Sequence, residues 1–113
     1  MAIKNTQNTE HYFWGDNCDG WHLLKSGSLS VIQESMPAHT SEALHFHNTA
    51  QQFFFILKGT ATFQIEDEVV EVKETNGFHI LPQQKHRIFN HTEGTLEFLV
   101  ISEPKSHGDR VNL

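Results

Sequence analysis

The sequence predicts an all-β protein, an antiparallel sandwich or barrel, and two observations support that prediction. About nine short segments rich in β-branched and aromatic residues follow one another at near-regular spacing, with turn residues between them. No stretch of roughly 12 residues has the apolar spacing of an amphipathic helix. The chain has 113 residues, which is the size of one compact domain. We expect a single β-domain over residues 11–104, between a flexible N-terminal arm at 1–10 and a solvated C-terminal tail at 105–113.

The predicted strands account for most of that domain. The clearest is 60–66, where polar and apolar residues alternate as they do in a strand with one solvated face. Gly59 precedes it, and a tight turn at Asp67 and Glu68 connects it to the next strand. Together the predicted strands cover residues 21–25, 29–36, 43–47, 52–58, 60–66, 69–72, 78–81, 86–89 and 96–102.

Composition excludes several classes of partner. The net charge is -6, and the eight Lys and Arg residues are dispersed rather than gathered into the basic patch that nucleic-acid binding requires. No apolar run approaches the roughly 20 residues of a membrane-spanning helix, and no basic and apolar signal segment opens the chain. Cys18 is the single cysteine, so no internal disulfide can form. We expect a cytoplasmic protein that binds neither nucleic acid nor membranes.

Histidine is the unusual residue of this chain, with nine copies dispersed along it. His45 and His47 are two residues apart, so their side chains share a face only if the segment is a strand. Two imidazoles on one strand face can bind one metal ion, with a third ligand from a neighbouring strand. The alternative is that both are ordinary solvent-facing strand residues. His86, just after a turn further along the chain, is the candidate third ligand.

The surroundings of these histidines resemble the two motifs of the cupin superfamily, a group of small β-barrels. In the first motif a His-x-His pair precedes a glutamate and then a glycine; here Gln52 follows His47 after four residues, and Gly59 follows after six more. In the second motif a histidine precedes an asparagine, as His86 and Asn90 do. The resemblance implies a jelly-roll cupin barrel, also called a double-stranded β-helix, with the metal ligands His45, His47, Gln52 and His86.

Some motif positions depart from the family pattern. Four positions that are glycine or proline in the family carry other residues, namely His39, Thr75, Leu81 and Gln83. Gly77 and Pro82 lie close by in the sequence and can meet the same backbone needs, so we expect the fold to be retained.

The departure at Gln52 bears on chemistry, because the family usually has a glutamate ligand there. Three imidazoles and an amide leave the +2 charge of a divalent ion uncompensated, which lowers affinity and favours an anionic or enediol-type substrate. Imidazole ligands suit Zn, Fe, Ni and Cu, and the resemblance adds Mn. An alternative is an empty site in which Gln52 only hydrogen-bonds to a histidine.

Strand alternation does not decide which glutamine faces the site. Gln51 is in phase with Phe53 and Phe55, Gln52 is in phase with Phe54, and both faces of the strand are apolar. The spacing of the family motif selects Gln52.

Two further residues are candidates for proton transfer. His79 alternates with apolar neighbours and is expected to face the same cavity as the metal site, although a histidine hydrogen-bonded at the barrel rim is an equal alternative. Glu34 is a carboxylate within an otherwise apolar strand pattern, and its alternative is an outward-facing strand charge.

Aromatic and apolar density predicts covered surfaces. Residues 12–21 hold many aromatic rings, which should line a pocket mouth or a subunit contact. The run 53–57 puts bulky apolar groups on both faces of one strand, so one face fills the barrel and the other needs a cover. Because cupins commonly pair through a sheet edge and an N-terminal strand, the resemblance implies a homodimer.

The resemblance and the histidines together indicate a metal-dependent small-molecule enzyme, either a dioxygenase or an isomerase, that acts on a polar substrate in the barrel. The alternative is a non-catalytic module that binds a sugar or similar small ligand, or a sensor domain. Fold alone does not choose between them, because this superfamily includes many unrelated activities.

Overall fold

The computed structural model describes residues 2–106 and 108–113, and within them the chain forms twelve β-strands and no helix. The all-β prediction is therefore confirmed, and each of the nine predicted segments overlaps a strand. In chain order the strands are β1 (Glu10–Trp14), β2 (Cys18–Lys25), β3 (Ser30–Met36), β4 (Thr40–Ser41), β5 (His45–His47), β6 (Gln51–Lys58), β7 (Thr60–Ile65), β8 (Glu68–Lys73), β9 (Gly77–Ile80), β10 (His86–Asn90), β11 (Leu96–Glu103) and β12 (Arg110–Asn112).

The strands form two antiparallel sheets, which we call the first and the second sheet. The first sheet has the order β1-β2-β3-β11-β6-β9, and the second has the order β12-β5-β10-β7-β8, with β4 also paired to β10. Strands distant in sequence are neighbours in both sheets, as β3 and β11 are, which is the crossing connectivity of a jelly roll.

The two sheets bury an apolar core between them. The ring of Phe54 in the first sheet lies 5.0 Å from that of Phe63 in the second sheet and 5.7 Å from that of Phe98. Eight of the buried residues, however, are polar, and four of them lie close together, namely His45, His47, Gln52 and His86. The interior therefore contains a group of buried polar side chains beside its apolar core.

Three strands were not predicted from the sequence. Strand β1 pairs with β2 as a hairpin, β4 is only two residues long, and β12 pairs with β5 at the edge of the second sheet. Short strands are hard to identify from sequence, because two to five residues show too little alternation to form a recognisable pattern.

The segment predicted as a solvated tail, residues 105–113, ends in a strand. Arg110–Asn112 is strand β12, and the carboxylate of Asp109 accepts hydrogen bonds from the backbone N–H groups of Thr49 (3.0 Å) and Ala50 (2.9 Å). These contacts join residues about 60 positions apart, so no local pattern could indicate them. Met1 and His107, which fall in the predicted arm and tail, lie outside the described residues.

Among the described residues, no helix is long and apolar enough to cross a membrane.

Candidate metal centre

Two neighbouring strands bring three histidines together. Strand β5 carries His45 and His47 on its buried face, and His86 of β10 pairs directly with His45 in the strand register. One ring nitrogen of each histidine lies within 4.8 Å of the corresponding nitrogens of the other two. All three side chains are buried. The convergence expected from the two-residue spacing is therefore present.

Backbone carbonyl groups orient two of the three imidazole rings. Nδ1 of His45 donates to the carbonyl oxygen of Ala43 at 2.8 Å, and Nδ1 of His86 donates to that of Gln84 at 2.9 Å. A ring that donates from Nδ1 carries its lone pair on Nε2. Both rings thus present an unprotonated Nε2 that is available as a metal ligand.

Gln52, the fourth expected ligand, lies on the cavity side of β6. Its side chain is buried, and its Nε2 donates to the Ser102 hydroxyl at 3.0 Å. Its Oε1 is buried without a hydrogen-bond partner among the described residues. Gln51 is exposed on the opposite face of the same strand. The side-chain amide of Gln52 is therefore anchored through its nitrogen and leaves its oxygen free.

The donor atoms of this cluster fit a divalent transition metal. Nδ1 of His47, Nε2 of His86 and Oε1 of Gln52 are buried and have no hydrogen-bond partner within the described part of the chain, a costly state for polar atoms. Burial, aided by the neighbouring His86, lowers the pKa of His45 to about 3 and that of His47 to about 4. The imidazoles are thus neutral near pH 7, which is the state that binds a metal.

The histidine cluster opens into a cavity of about 490 Å³. Its walls come from both sheets and carry several ionisable side chains, including Glu34, Glu42, Lys25 and Arg110. This volume accommodates a small molecule in contact with the histidines.

Glu34 lies in the wall of this cavity rather than on the outer surface. The Tyr12 hydroxyl donates to its Oε2 at 2.6 Å. Burial raises the pKa of Glu34 to about 8, against the opposing effect of the Tyr12 hydrogen bond. A carboxyl group that holds its proton near neutral pH is suited to proton transfer.

Tyr12 reaches Glu34 across an intervening strand. In the strand register Tyr12 of β1 faces Gly20 of β2, and Gly20 in turn faces Glu34 of β3. A Cβ atom at Gly20 would lie only 2.2 Å from the Tyr12 ring. Only glycine leaves room for the phenol to pass over β2. The aromatic density of residues 12–21 pointed to a pocket mouth, but nothing in the sequence singled out Tyr12.

The structure does not place His79 in the cavity, so that prediction is wrong. His79 is exposed on β9 and donates from Nε2 to Oε1 of Gln51 at 2.8 Å on the outer face of the first sheet. Its neighbour Ile80 is buried, and successive strand residues point to opposite faces. The register of β9 therefore turns His79 away from the histidine cluster.

The fold and the site together define a small double-stranded β-helix protein with a three-histidine cavity. Residues 31–102 match the family described as Cupin domain. The match covers more than half of the chain, and the protein belongs to this family. The resemblance to the cupin superfamily, inferred from the two histidine motifs, is confirmed.

Known proteins similar to this chain span several functions. A curated relative, the uncharacterized protein MJ1618 of Methanocaldococcus jannaschii, is 29% identical over 89 residues, which is 78% of this chain and 71% of that protein. A predicted oxalate decarboxylase (TM1287) of Thermotoga maritima superposes with a TM-score of 0.83 at 18% identity, covering 92% of this chain and 100% of that one. Pac13 of Streptomyces, a nucleoside dehydratase, superposes with a TM-score of 0.82 at 16% identity, covering 100% of this chain and 91% of that one. At these identities the structural matches establish the fold alone.

Proposed function

We propose that the protein is a metal-dependent enzyme that isomerises a small polar molecule by proton transfer. The observation that carries the proposal is the convergence of three buried, neutral histidines at one wall of an open cavity, two of which have a buried ring nitrogen without a hydrogen-bond partner among the described residues. His45, His47 and His86 would hold the ion, and Oε1 of Gln52 would be the fourth ligand. Zn, Fe, Ni and Mn are the candidate metals.

A bound divalent cation supplies Lewis-acid polarisation of a substrate oxygen. The surrounding side chains determine how strongly an oxygen atom is attracted. Because Gln52 is a neutral amide, no carboxylate from that position offsets the charge of the ion. The histidine end of the cavity therefore favours electron-rich oxygen atoms, such as those of a carbonyl or an ionised hydroxyl group.

Glu34 and Tyr12 favour the isomerase over the dioxygenase. Proton removal from a carbon next to a carbonyl, and its return to the neighbouring carbon, needs one group that can both accept and donate a proton. Glu34 has this ability near neutral pH, and the Tyr12 hydroxyl orients its carboxyl group at 2.6 Å. Both residues line the cavity that contains the histidines. Glu34 is thus the proposed catalytic acid and base.

Metal analysis tests the first half of the proposal. Protein expressed without an affinity tag in metal-supplemented medium should contain close to one equivalent of a divalent transition metal by mass spectrometry. His86→Ala should lose most of that metal. His91→Ala, which removes an exposed histidine directly after β10, should retain it. Metal-free wild-type protein under these conditions would support the non-catalytic binding module instead.

Hydrogen exchange tests the second half. The metal-loaded protein is incubated in D2O with a panel of hydroxy-aldehydes and hydroxy-ketones, and incorporation of deuterium at carbon is followed by NMR. We expect exchange with at least one compound, and we expect Glu34→Gln to abolish it while leaving the metal content unchanged. Oxygen consumption without carbon exchange would instead support the dioxygenase.

A further inference from the structure

Residues near the C-terminus contribute to the wall of the cavity. Strand β11 ends at Glu103 in the first sheet, and β12 begins at Arg110 in the second, so the residues between them connect the two sheets. Ser106, Gly108 and Arg110 all line the cavity. Hydrogen bonds from Thr49 and Ala50 to the Asp109 carboxylate hold this segment in place. The side chain of Arg110 is therefore held at the cavity by the fold.

The guanidinium group of Arg110 is only partly used by the protein. Its Nε donates to Oδ1 of Asn112 at 2.7 Å. Its two terminal nitrogens make long contacts within the described residues, 3.4 Å to Oε2 of Glu42 and 3.5 Å to the carbonyl oxygen of Ala43. These two nitrogens carry four N–H groups, and good hydrogen bonds are shorter than about 3.2 Å. The terminal edge of the guanidinium can therefore bind a further acceptor.

The charges around the cavity favour an anion near Arg110. Lys25, the other lysine or arginine of the cavity wall, is paired with Glu10 at 3.5 Å. Burial raises the pKa of Glu34 to about 8, so its carboxyl group carries less negative charge than usual near neutral pH. With a divalent cation at the histidines, the cavity becomes net positive between the ion and the arginine.

We propose that Arg110 binds a carboxylate of the substrate, so that the substrate is a small organic acid; this inference rests on the proposed function of the same cavity. A planar guanidinium edge matches the two oxygens of a carboxylate. The carbonyl or hydroxyl oxygen of the acid would then point to the histidines, and its carbon–hydrogen bond would face Glu34. A monoanion fits better than a phosphate dianion, because Glu42 lies beside the guanidinium and repels a second negative charge.

Paired binding measurements test this assignment. Glycolate, pyruvate and gluconate are titrated into the metal-loaded protein, each beside its neutral amide, with inorganic phosphate as a further probe, and affinities are read by NMR chemical-shift changes. We expect at least one acid to bind roughly tenfold more tightly than its amide. Arg110→Gln should remove that preference while changing amide binding by no more than about twofold. Arg110→Lys, which keeps the charge, should retain part of the preference.

The control variant is Arg87→Gln, which removes the same charge from β10, where Arg87 stacks on Phe89 and donates to Gln64. It should bind every probe as the wild type does. Equal affinity for acids and amides, no binding of any acid, a preference for phosphate, or an acid preference that survives Arg110→Gln in folded protein would each overturn the assignment.

The result of the acid-binding test can be distinguished from the result of the carbon-exchange test for the proposed function. An Arg110-dependent acid preference in a protein that shows no carbon exchange would support the acid site and contradict the enzyme. Metal binding and carbon exchange with neutral sugars alone would support the enzyme and contradict the acid site. Circular dichroism of each variant establishes that it is folded before binding is compared.

Discussion

A single side-chain substitution relative to the family pattern sets the charge of the candidate metal site. Gln52 lies where the family usually has a glutamate, and its amide is held by Ser102 with its oxygen unpartnered. A glutamate side chain has the same length and could present an oxygen in the same place. Gln52 therefore differs from the family's glutamate in charge rather than in shape.

Gln52→Glu should tighten metal binding. A carboxylate close to a divalent cation gains Coulomb attraction that an amide lacks, and in a partly buried site we expect a gain of roughly tenfold or more in affinity. Competition with a fluorescent chelator measures it. Gln51→Glu is the matched control, because it adds the same charge on the exposed face of β6 and should change affinity little. Equal effects of the two variants would place Gln52 outside the coordination sphere.

The protonation of Glu34 should make stability depend on pH. Its folded-state pKa of about 8 is above the ordinary value of 4.5, so the folded protein binds a proton that the unfolded chain releases. The stability associated with Glu34 is fully present below about pH 4.5 and is lost as the pH rises through about 8. Relative to Glu34→Gln, the metal-free wild type should lose up to about 5 kcal/mol between those limits, measured by urea unfolding. A difference that does not change with pH would contradict the buried carboxyl group.

At the scale of the strands, the hairpin of β1 and β2 brings Tyr12 to Glu34, the proposed acid and base. Tyr12 crosses over Gly20 to reach Glu34, so a strand without a side chain at one position is what lets β1 contribute to the cavity. A similar arrangement occurs on the outer face of this sheet, where a Cβ at Gly77 would lie 2.1 Å from the Phe53 ring. In both places an aromatic ring covers a glycine on the neighbouring strand.

Gly20→Ala should displace Tyr12 and reduce activity without loss of metal. The added methyl group would overlap the phenol ring, so Tyr12 must move away from Glu34. We expect carbon exchange to fall roughly tenfold and its pH profile to shift, because Glu34 loses its hydrogen-bond donor. Gly27→Ala is the matched control, since a Cβ there meets nothing within 4 Å. An unchanged pH profile in Gly20→Ala would show that Tyr12 does not position Glu34.

At the scale of the whole molecule, the outer face of the first sheet presents apolar side chains to solvent. Phe13 is 77% exposed, and Phe53 and Leu57 are each 41% exposed. Phe13 lies on β1, and Phe53 and Leu57 lie on β6 of the same sheet. Exposed bulky apolar side chains on one sheet face favour association with another surface. This face is where we expect the two copies of a homodimer to meet.

A charge on this face should weaken the dimer. We expect the wild type to sediment as a dimer and Phe53→Lys to shift it toward monomer at equal concentration, since a buried unpaired charge opposes association. Val69→Lys is the control, because Val69 is 70% exposed on β8 of the other sheet. A wild type that sediments as a monomer at all concentrations, or a Val69→Lys that dissociates as readily, would contradict this interface.

Local sequence patterns predicted much of the fold and part of the candidate site. Alternation in residues 60–66, the paired spacing of His45 and His47, and turn residues between short strands are consequences of strand geometry over a few residues, so they could be read without coordinates. They led to the all-β class and to the convergence of His45 and His47, and the resemblance of two motifs to the family added the cupin fold and His86 as the third histidine. They also misplaced His79: alternation put it opposite Phe78 and Ile80, and these two apolar residues form the inward-facing side of β9.

Long-range pairing decided the rest. Tyr12 meets Glu34 only because β1, β2 and β3 align in one register, and Arg110 reaches the cavity only because β12 pairs with β5. Such contacts join segments far apart in sequence, and their energy comes from burial and hydrogen bonds that exist only in the closed barrel. The histidine pair and the family motifs thus indicated the candidate metal ligands from the sequence, whereas the contact of Tyr12 with Glu34 and the proposed anion-binding role of Arg110 required the tertiary structure.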